Sequence, residues 1–421
     1  MKILFITGKL GAVPGASTRL VVSLAEQIAE RCECHVLGYD DAAAKSRING
    51  VDYHCVEVPA AQHEFISLVN ETFGDASSTI SKVLRLAARP LKTLRALRSL
   101  ITRIQPFAYY YRKAYRRLER EYKFDFVIAS YFPMFIIEFV SATKFKSPFA
   151  LYQLDPYGMH SIESIACERN KTRELRAFKR AESIFTSYEL ADIYGRESGY
   201  KEYNHKYIPL RFPCLSDTRR YEEKGLKLGS GVSFCYAGAI GDIYRRSDFF
   251  IETFDILLRD MSSGRLTVIT GSADEKLALY AKNNPGKLTL IGSQPADVAL
   301  GTLSKADFVI NIGNDMHPQQ LPSKTISCIS TGRPIINFYY TDDCPTLEFM
   351  GKYPYALCVD ARSGAAEAAR RIADFCAEYR GKRLDYETIA RLFGDCTPEY
   401  AAKKMIEAVA AAGGAGSSSV L

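Results

Sequence analysis

Two successive α/β units, each an open parallel sheet flanked by helices, are what this sequence predicts, and three observations carry that expectation. Short apolar runs of strand length alternate with segments whose apolar residues recur at spacings of three and four, and after a polar break the alternation begins again. In the second set each predicted strand ends in glycine or a small polar residue, where an open parallel sheet gathers its ligand loops. The length of 421 residues exceeds what one hydrophobic core ordinarily organises, so two domains is the natural count.

In the first set, KILFIT (2–7) is a buried strand, GKLGAVPGAST a glycine-bearing loop, and RLVVSLAEQIAE a helix with Leu20, Val21, Leu24 and Ile28 at helical spacing. The loop departs from G-x-G-x-x-G, so no dinucleotide site is read there. Strands are expected at CHVLGY (34–39) and VDYHCVEV (51–58), and after an irregular insertion at FDFVIAS (124–130), PFALYQLD (148–155) and SIFTSY (183–188). Residues 212–231, polar, charged and glycine-rich without periodicity, read as a linker. The second set runs VSFCYAG (232–238), a helix over 247–260, LTVITG (266–271), KLTLIG (287–292), the helix ADVALGTLSKA, DFVINIG (307–313) and ALCVD (356–360). Helices near 386–393 and 398–411 close the chain before a disordered tail, 412–421.

Composition narrows the classes. A hydrophobic share of 47% with 24% charged residues belongs to a globular chain. Met1 to Thr7 is apolar but is cut off by Gly8 and Lys9, which makes a first strand and not a signal-peptide core. With no apolar run of about eighteen residues, a membrane span is not expected. The eleven cysteines, among them Cys235, Cys328, Cys358 and Cys376, lie in predicted strands and helices and read as reduced structural thiols. Cys32 and Cys34 lack the nearby partners a metal site needs.

Chemistry concentrates in LPSKTISCISTGRPIINF, residues 321–338. Pro322 suits a first helical turn, and Ser323 and Lys324 put a hydroxyl, an ammonium and backbone N–H groups at a helix start, which favours an anion. Gly332 ends that helix, and Pro334 opens the next buried strand. An ordinary helix-to-strand joint is the alternative reading of the same residues.

Taken in order, GAIGDIYRR, LTVITGS, LIGSQPADVALGTLSKADFVINIG and LPSKTISCISTGRPIIN resemble the GT-B glycosyltransferases, particularly the broad family 4 group (glycosyl transferases group 1). The matching motifs are Tyr236-Ala237-Gly238, Ala306-Asp307-Phe308, Pro322-Ser323-Lys324 and Thr331-Gly332-Arg333-Pro334. The resemblance covers nearly the whole chain. It implies two Rossmann-like domains with parallel sheets facing across a cleft, acceptor on the N-terminal domain (1–211, with a basic helical insertion at about 62–122) and nucleotide-sugar on the C-terminal one (232–384, followed by the helices of 385–411). A nucleotide-diphosphate-sugar, a co-substrate and not a cofactor, loses its pyrophosphate as a leaving group, so the donor site must stabilise negative charge. Ser323, Lys324, the backbone at Gly238 and Gly241, and one of Arg245 and Arg246 are the candidates for that task. Gly271, Ser272, Gly292, Gly313 and Asn314 end predicted strands and are placed to frame base and ribose through backbone contacts.

The sequence departs from the family where two glutamates eight positions apart contact the donor. Those positions hold Gln319 and Ser327, which hydrogen-bond without supplying negative charge. The resemblance assigns the loop after the first strand to the cleft, with Gly11, Pro14, Gly15, Ser17 and Arg19 on the acceptor side. Ser17 as a helix cap is the alternative, and Arg19 in a first turn opposes the helix dipole unless partnered. Asp155, at the end of FALYQLD, is the candidate catalytic base or acceptor-hydroxyl binder, with a plain turn aspartate as the alternative. His160 and His317 near loop ends read as surface or packing residues.

Between Lys82 and Lys123 lie thirteen Lys and Arg against Glu119 and Glu121, so the positive charge of the chain is local. Leu91, Leu94, Leu97, Ile101 and Ile104 recur beside Lys92, Arg95 and Arg98, as in a basic helix on an anionic membrane, with Tyr109, Tyr110, Tyr111 and Tyr115 as interfacial anchors. Packing of that apolar side on its own domain is the alternative. No nucleic-acid-binding module surrounds the basic run. The expectation is a cytoplasmic, metal-independent glycosyltransferase, peripheral at the inner membrane face, serving a glycan or lipid-linked acceptor in polysaccharide synthesis. A nucleotide-sugar epimerase and a non-catalytic nucleotide-sugar-binding or assembly protein are the rivals.

Overall fold

The computed structural model describes residues 1–11, 15–39, 46–57, 106–154, 164–241, 245, 247–314 and 320–412. The chain divides into two compact units, Met1–Pro209 with Ala402–Leu421, and Leu210–Ala401.

The first unit holds β1 (Lys2–Lys9), β2 (Glu33–Tyr39), β3 (Ser46–Ile48), β4 (Val51–Cys55), β5 (Phe126–Ser130), β6 (Phe149–Gln153), β7 (Ser183–Thr186) and β8 (Tyr207–Pro209) in the order β3-β4-β2-β1-β5-β6-β7-β8. Every neighbouring pair is parallel except β3 with β4. Ile3 through Ile6 are fully buried, which explains a strand that is apolar on both faces: helices cover both sides of a parallel sheet. The three-residue strands β3 and β8 were not expected, being too short to show a period of two. Among the described residues before Pro209, the unit's helices are α1 (Ala16–Ala29), α2 (Pro106–Tyr122), α3 (Phe135–Ala142), α4 (Ser164–Arg180) and α5 (Tyr188–Arg196). On α4, the fully buried Glu174 accepts from Gln153, Tyr194 and Tyr200 at 2.6, 2.9 and 2.5 Å, the bonding a buried carboxylate requires.

Helix α2 corrects part of the membrane expectation. Phe107, Tyr111, Tyr115 and Leu118 line its buried side, and the Tyr111 hydroxyl donates to the Thr7 carbonyl at 2.7 Å. Tyr111 and Tyr115 therefore pack into their own unit and anchor nothing, whereas Tyr109 is exposed. The preceding basic residues, including Leu91 to Ile104, lie outside the described residues. Among the described residues no helix is long and apolar enough to cross a membrane.

The second unit holds β9 (Val232–Ala237), β10 (Gly264–Ile269), β11 (Leu288–Ile291), β12 (Phe308–Ile312), β13 (Ile335–Tyr339) and β14 (Ala356–Asp360), all parallel, in the order β11-β10-β9-β12-β13-β14. That is the doubly wound order, with its reversal between β9 and β12. One face, with Phe234, Tyr236, Ile310 and Phe338, packs on α6 (Asp248–Asp260) and α11 (Ala365–Tyr379). The other, with Cys235, Val309 and Ile335, packs on α8 (Ala296–Lys305), α9 (Ser323–Ile329), α10 (Pro345–Lys352) and α12 (Tyr386–Leu392). The remaining described helices are α7 (Glu275–Asn283) and α13 (Pro398–Ala412), the latter belonging to the first unit from Ala402 onward. The sequence reading contained no helix at α7, α10 or α11. The tail beyond Ala412 lies outside the described residues.

The 212–231 segment expected as a linker is folded onto this unit. A 3-10 turn over Thr218–Lys224 lies against α8, where a side chain on Gly301 would begin 2.0 Å from the Tyr221 carbonyl. Leu226 donates its N–H to Thr302 Oγ1 at 2.9 Å, and Lys305 caps the Gly225 carbonyl at 2.6 Å. Glu222 pairs with Arg383 at 2.7 Å and accepts from Ser304 at 2.7 Å. Polar, glycine-rich composition describes a loop in water as well as one whose polar groups find protein partners, so composition does not separate the two. Replacing Gly301 with Ala should cost about 1–3 kcal/mol in urea denaturation, because backbone stands in the way of the new methyl. Burial alone would raise the Glu222 carboxyl, but the Ser304 hydroxyl and Arg383 guanidinium outweigh it and hold the group below its ordinary value. Its contribution is thus complete above the unfolded value of about 4.3 and is lost as the pH falls through the lower folded value. The stability gap between wild type and Glu222→Gln should accordingly be constant near neutral pH and close below about pH 4.

Candidate functional site

The reversal of strand order opens the site in the second unit. β9 pairs with β12 only at Phe234↔Phe308 and Cys235↔Val309, whereas it pairs with β10 as far as Ala237. The C-terminal ends of β9 and β12 are therefore unpaired with each other, and the Ile312 carbonyl accepts from Arg245 Nε at 3.2 Å. Arg245 is 9% exposed, so its guanidinium is built into this edge and is not solvated surface charge.

The turn after β9 is shaped by the Tyr236 hydroxyl, which donates to the Ala239 carbonyl at 2.6 Å, and by Gly241, at φ +85°, whose N–H bonds the Arg245 carbonyl at 2.8 Å. Lys324, second residue of α9, lies across the turn: a side chain on Gly238 would begin 2.3 Å from its Nζ and 2.7 Å from its Cε. Two residues assigned to one task from the sequence are thus in contact, and only a glycine leaves the ammonium room. Gly313 donates to the Phe338 carbonyl at 2.9 Å, and Asn314 beside it is buried. Ser323 and Ser327 are half-buried on α9, and the Ser323 carbonyl accepts from the Cys214 thiol at 3.5 Å. Pro322 stands at the N-cap position and not in the first turn. Burial raises the Cys328 thiol to about 12 against the opposing pull of Lys324, which leaves it a structural group.

Gly271, Ser272 and Gly292 are exposed at the ends of β10 and β11. A side chain on Gly271 would meet Ser293 Oγ at 2.4 Å, whereas Gly292 faces open space. Arg246 and Gln319 lie outside the described residues, as does His317. The sequence reading missed Asp274, which caps α7 by accepting from Leu277 N at 2.8 Å and from Ser247 Oγ, and against which Gly241 packs. The Asp-Glu pair opening that helix was the available signal.

In the first unit the reversal falls between β1 and β5, and the loop after β1 leads to α1 there. Gly15 is the N-cap of α1 with no side-chain capping bond, so Ser17 lies inside the first turn and does not cap it. Gly11, Ser17 and Arg19 lie along this loop and first turn, while Pro14, Asp155 and His160 lie outside the described residues. Pro133 packs on Gly8 at the end of β1, and its neighbours Phe132 and Met134 remain 44% and 40% exposed. Among the described residues no group of three or more His, Cys, Asp or Glu is placed to hold a metal ion.

No family model matches the chain, and no curated protein matches it in sequence. Solved structures do match in shape, and they place the chain in the GT-B fold. WaaG, a glycosyltransferase involved in lipopolysaccharide biosynthesis, matches at 14% identity over 98% of this chain and 100% of its own, with a TM-score of 0.57. Sucrose-phosphate synthase from Thermosynechococcus elongatus matches at 14% identity over 96% and 97%, also with a TM-score of 0.57. The UDP-GlcNAc 2-epimerase from Neisseria meningitidis, solved bound to UDP-GlcNAc, matches at 11% identity over 98% and 100%, with a TM-score of 0.56.

The geometry separates two glycines on one turn. Gly241→Ala meets backbone of Asp274 at a left-handed φ and should lower Tm by about 2–6 °C, whereas Gly238→Ala need only displace the Lys324 side chain and should leave Tm within about 2 °C.

Proposed function

We propose that this protein is a glycosyltransferase that moves a sugar from a nucleotide-diphosphate-sugar to a glycan or lipid-linked acceptor. The observation that carries the reading is Lys324 laid over Gly238 at the reversal of the second sheet, with Arg245 fixed on the adjoining edge. An ammonium and a guanidinium beside a half-buried glycine turn suit a pyrophosphate whose negative charge grows as the glycosidic bond breaks. Asn314, Ser323 and Ser327 would contact the remainder of the donor, with Gln319 replacing a carboxylate by an amide. The acceptor would lie along the Gly11–Arg19 loop, where Phe132 and Met134 offer apolar surface to a lipid or to a sugar ring. Asp155 is the proposed base for the acceptor hydroxyl. We place the protein in cell-surface polysaccharide or glycoconjugate synthesis without a required metal, working at the inner face of a membrane through the basic segment.

Similarity to a UDP-GlcNAc 2-epimerase at nearly the same TM-score favours epimerisation as the second reading. A panel of UDP-, GDP-, ADP- and dTDP-sugars, each incubated with and without lipid-phosphate and glycan acceptors, separates the two. Transfer needs an acceptor, whereas epimerisation converts the nucleotide-sugar alone; binding without either reaction would indicate a non-catalytic scaffold. In the same assay Lys324→Ala should weaken the binding donor by about 1.5–3 kcal/mol, roughly 10- to 150-fold. Unchanged affinity in calorimetry would remove the pyrophosphate site from α9.

A further inference from the structure

A chain of buried polar side chains runs under this edge, and the donor reading has no use for it so far. Asn311 on β12 and Asn337 on β13 stand opposite each other in register and are 1% and 0% exposed. The Asn311 amide donates to Asn337 Oδ1 at 2.7 Å and to Thr325 Oγ1 at 3.2 Å. The Asn337 amide donates to Thr346 Oγ1 at 3.3 Å, and that hydroxyl lies 3.2 Å from Cys344 Sγ. Thr325 is the third residue of α9 and Thr346 the second of α10, so the first turns of two helices hang on one ladder.

The same sheet face carries Cys235, Val309 and Ile335, and apolar residues would fill the Asn positions without the desolvation an amide suffers. What amides add is direction. Ile326 and Ile329 hold α9 to the sheet through contacts that fix distance but little rotation, whereas a hydrogen bond to Thr325 fixes the angle about the helix axis. Successive helical residues are about 100° apart, so setting Thr325 sets Lys324. We infer that Asn311, Asn337 and Thr325 are positioning residues that hold the Lys324 side chain over Gly238. The inference rests on the donor reading of that edge.

Calorimetric titration with UDP, GDP, ADP and dTDP tests it. Thr325→Val keeps the branched shape and removes the hydroxyl, Thr325→Ser keeps the hydroxyl, and Lys324→Ala marks the full loss. The expected result is a five- to twentyfold weaker nucleotide affinity for Thr325→Val with Tm little changed, and recovery to within twofold for Thr325→Ser. A merely structural hydroxyl would instead lower Tm and leave the affinity of the folded protein intact. If Thr325→Val binds like wild type while Lys324→Ala is weakened, the positioning role falls and the donor reading stands. If wild type binds none of the four nucleotides, or Lys324→Ala binds like wild type, the donor reading falls and takes this inference with it.

Discussion

Parallel pairing of β9 with β12 is the constraint on which the second unit depends. A doubly wound sheet reverses its strand order once, and the helices on either side of the reversal leave in opposite directions, so no element covers the strand ends there. Here the pairing lapses after Cys235 and Val309, and the freed edge is occupied by Arg245 on one side and by the turn at Gly238 on the other. Lys324 reaches that turn only because α9 follows the strand next in order. Fold topology thus sets that one cation lies over the turn after β9 and another on the end of β12.

The polar groups of this unit are more structural than their composition implies. Ser304, Glu222, Arg383 and Arg333 bind the 218–226 segment to α8 and to the end of α9, with Arg333 Nε on the Ser304 carbonyl at 2.9 Å. The asparagine ladder does the same on the opposite end of α9. A seven-residue helix carries too few apolar contacts to be fixed by burial alone, and directional bonds at both ends supply what is missing.

Sharing a fold with sugar-transferring enzymes and with an epimerase at comparable similarity, the chain illustrates why architecture and chemistry must be argued separately. Both classes need a site for the diphosphate, so the one proposed at Lys324 and Arg245 does not choose between them. The choice turns on groups around the sugar; the positions that the family resemblance assigns there hold Gln319 and Ser327 in place of carboxylates.

Sequence alone determined the two sheets, because long apolar runs with glycine at their ends record burial on both faces and chain reversal at the strand ends. It also singled out Gly238, Lys324, Arg245 and Asn314, since loops at strand ends follow from the order of elements. What only tertiary structure decided is which of these touch. The spacing of 86 positions between Gly238 and Lys324 carries no distance, and only the sheet order brings them together. The same holds for Tyr111 and Tyr115, whose aromatic character suits a membrane surface and a protein core equally until α2 is packed. Asn311 and Asn337 passed unnoticed for a related reason: a polar residue in an apolar run signals an exposed face or a buried partner, and the partner lies on another strand.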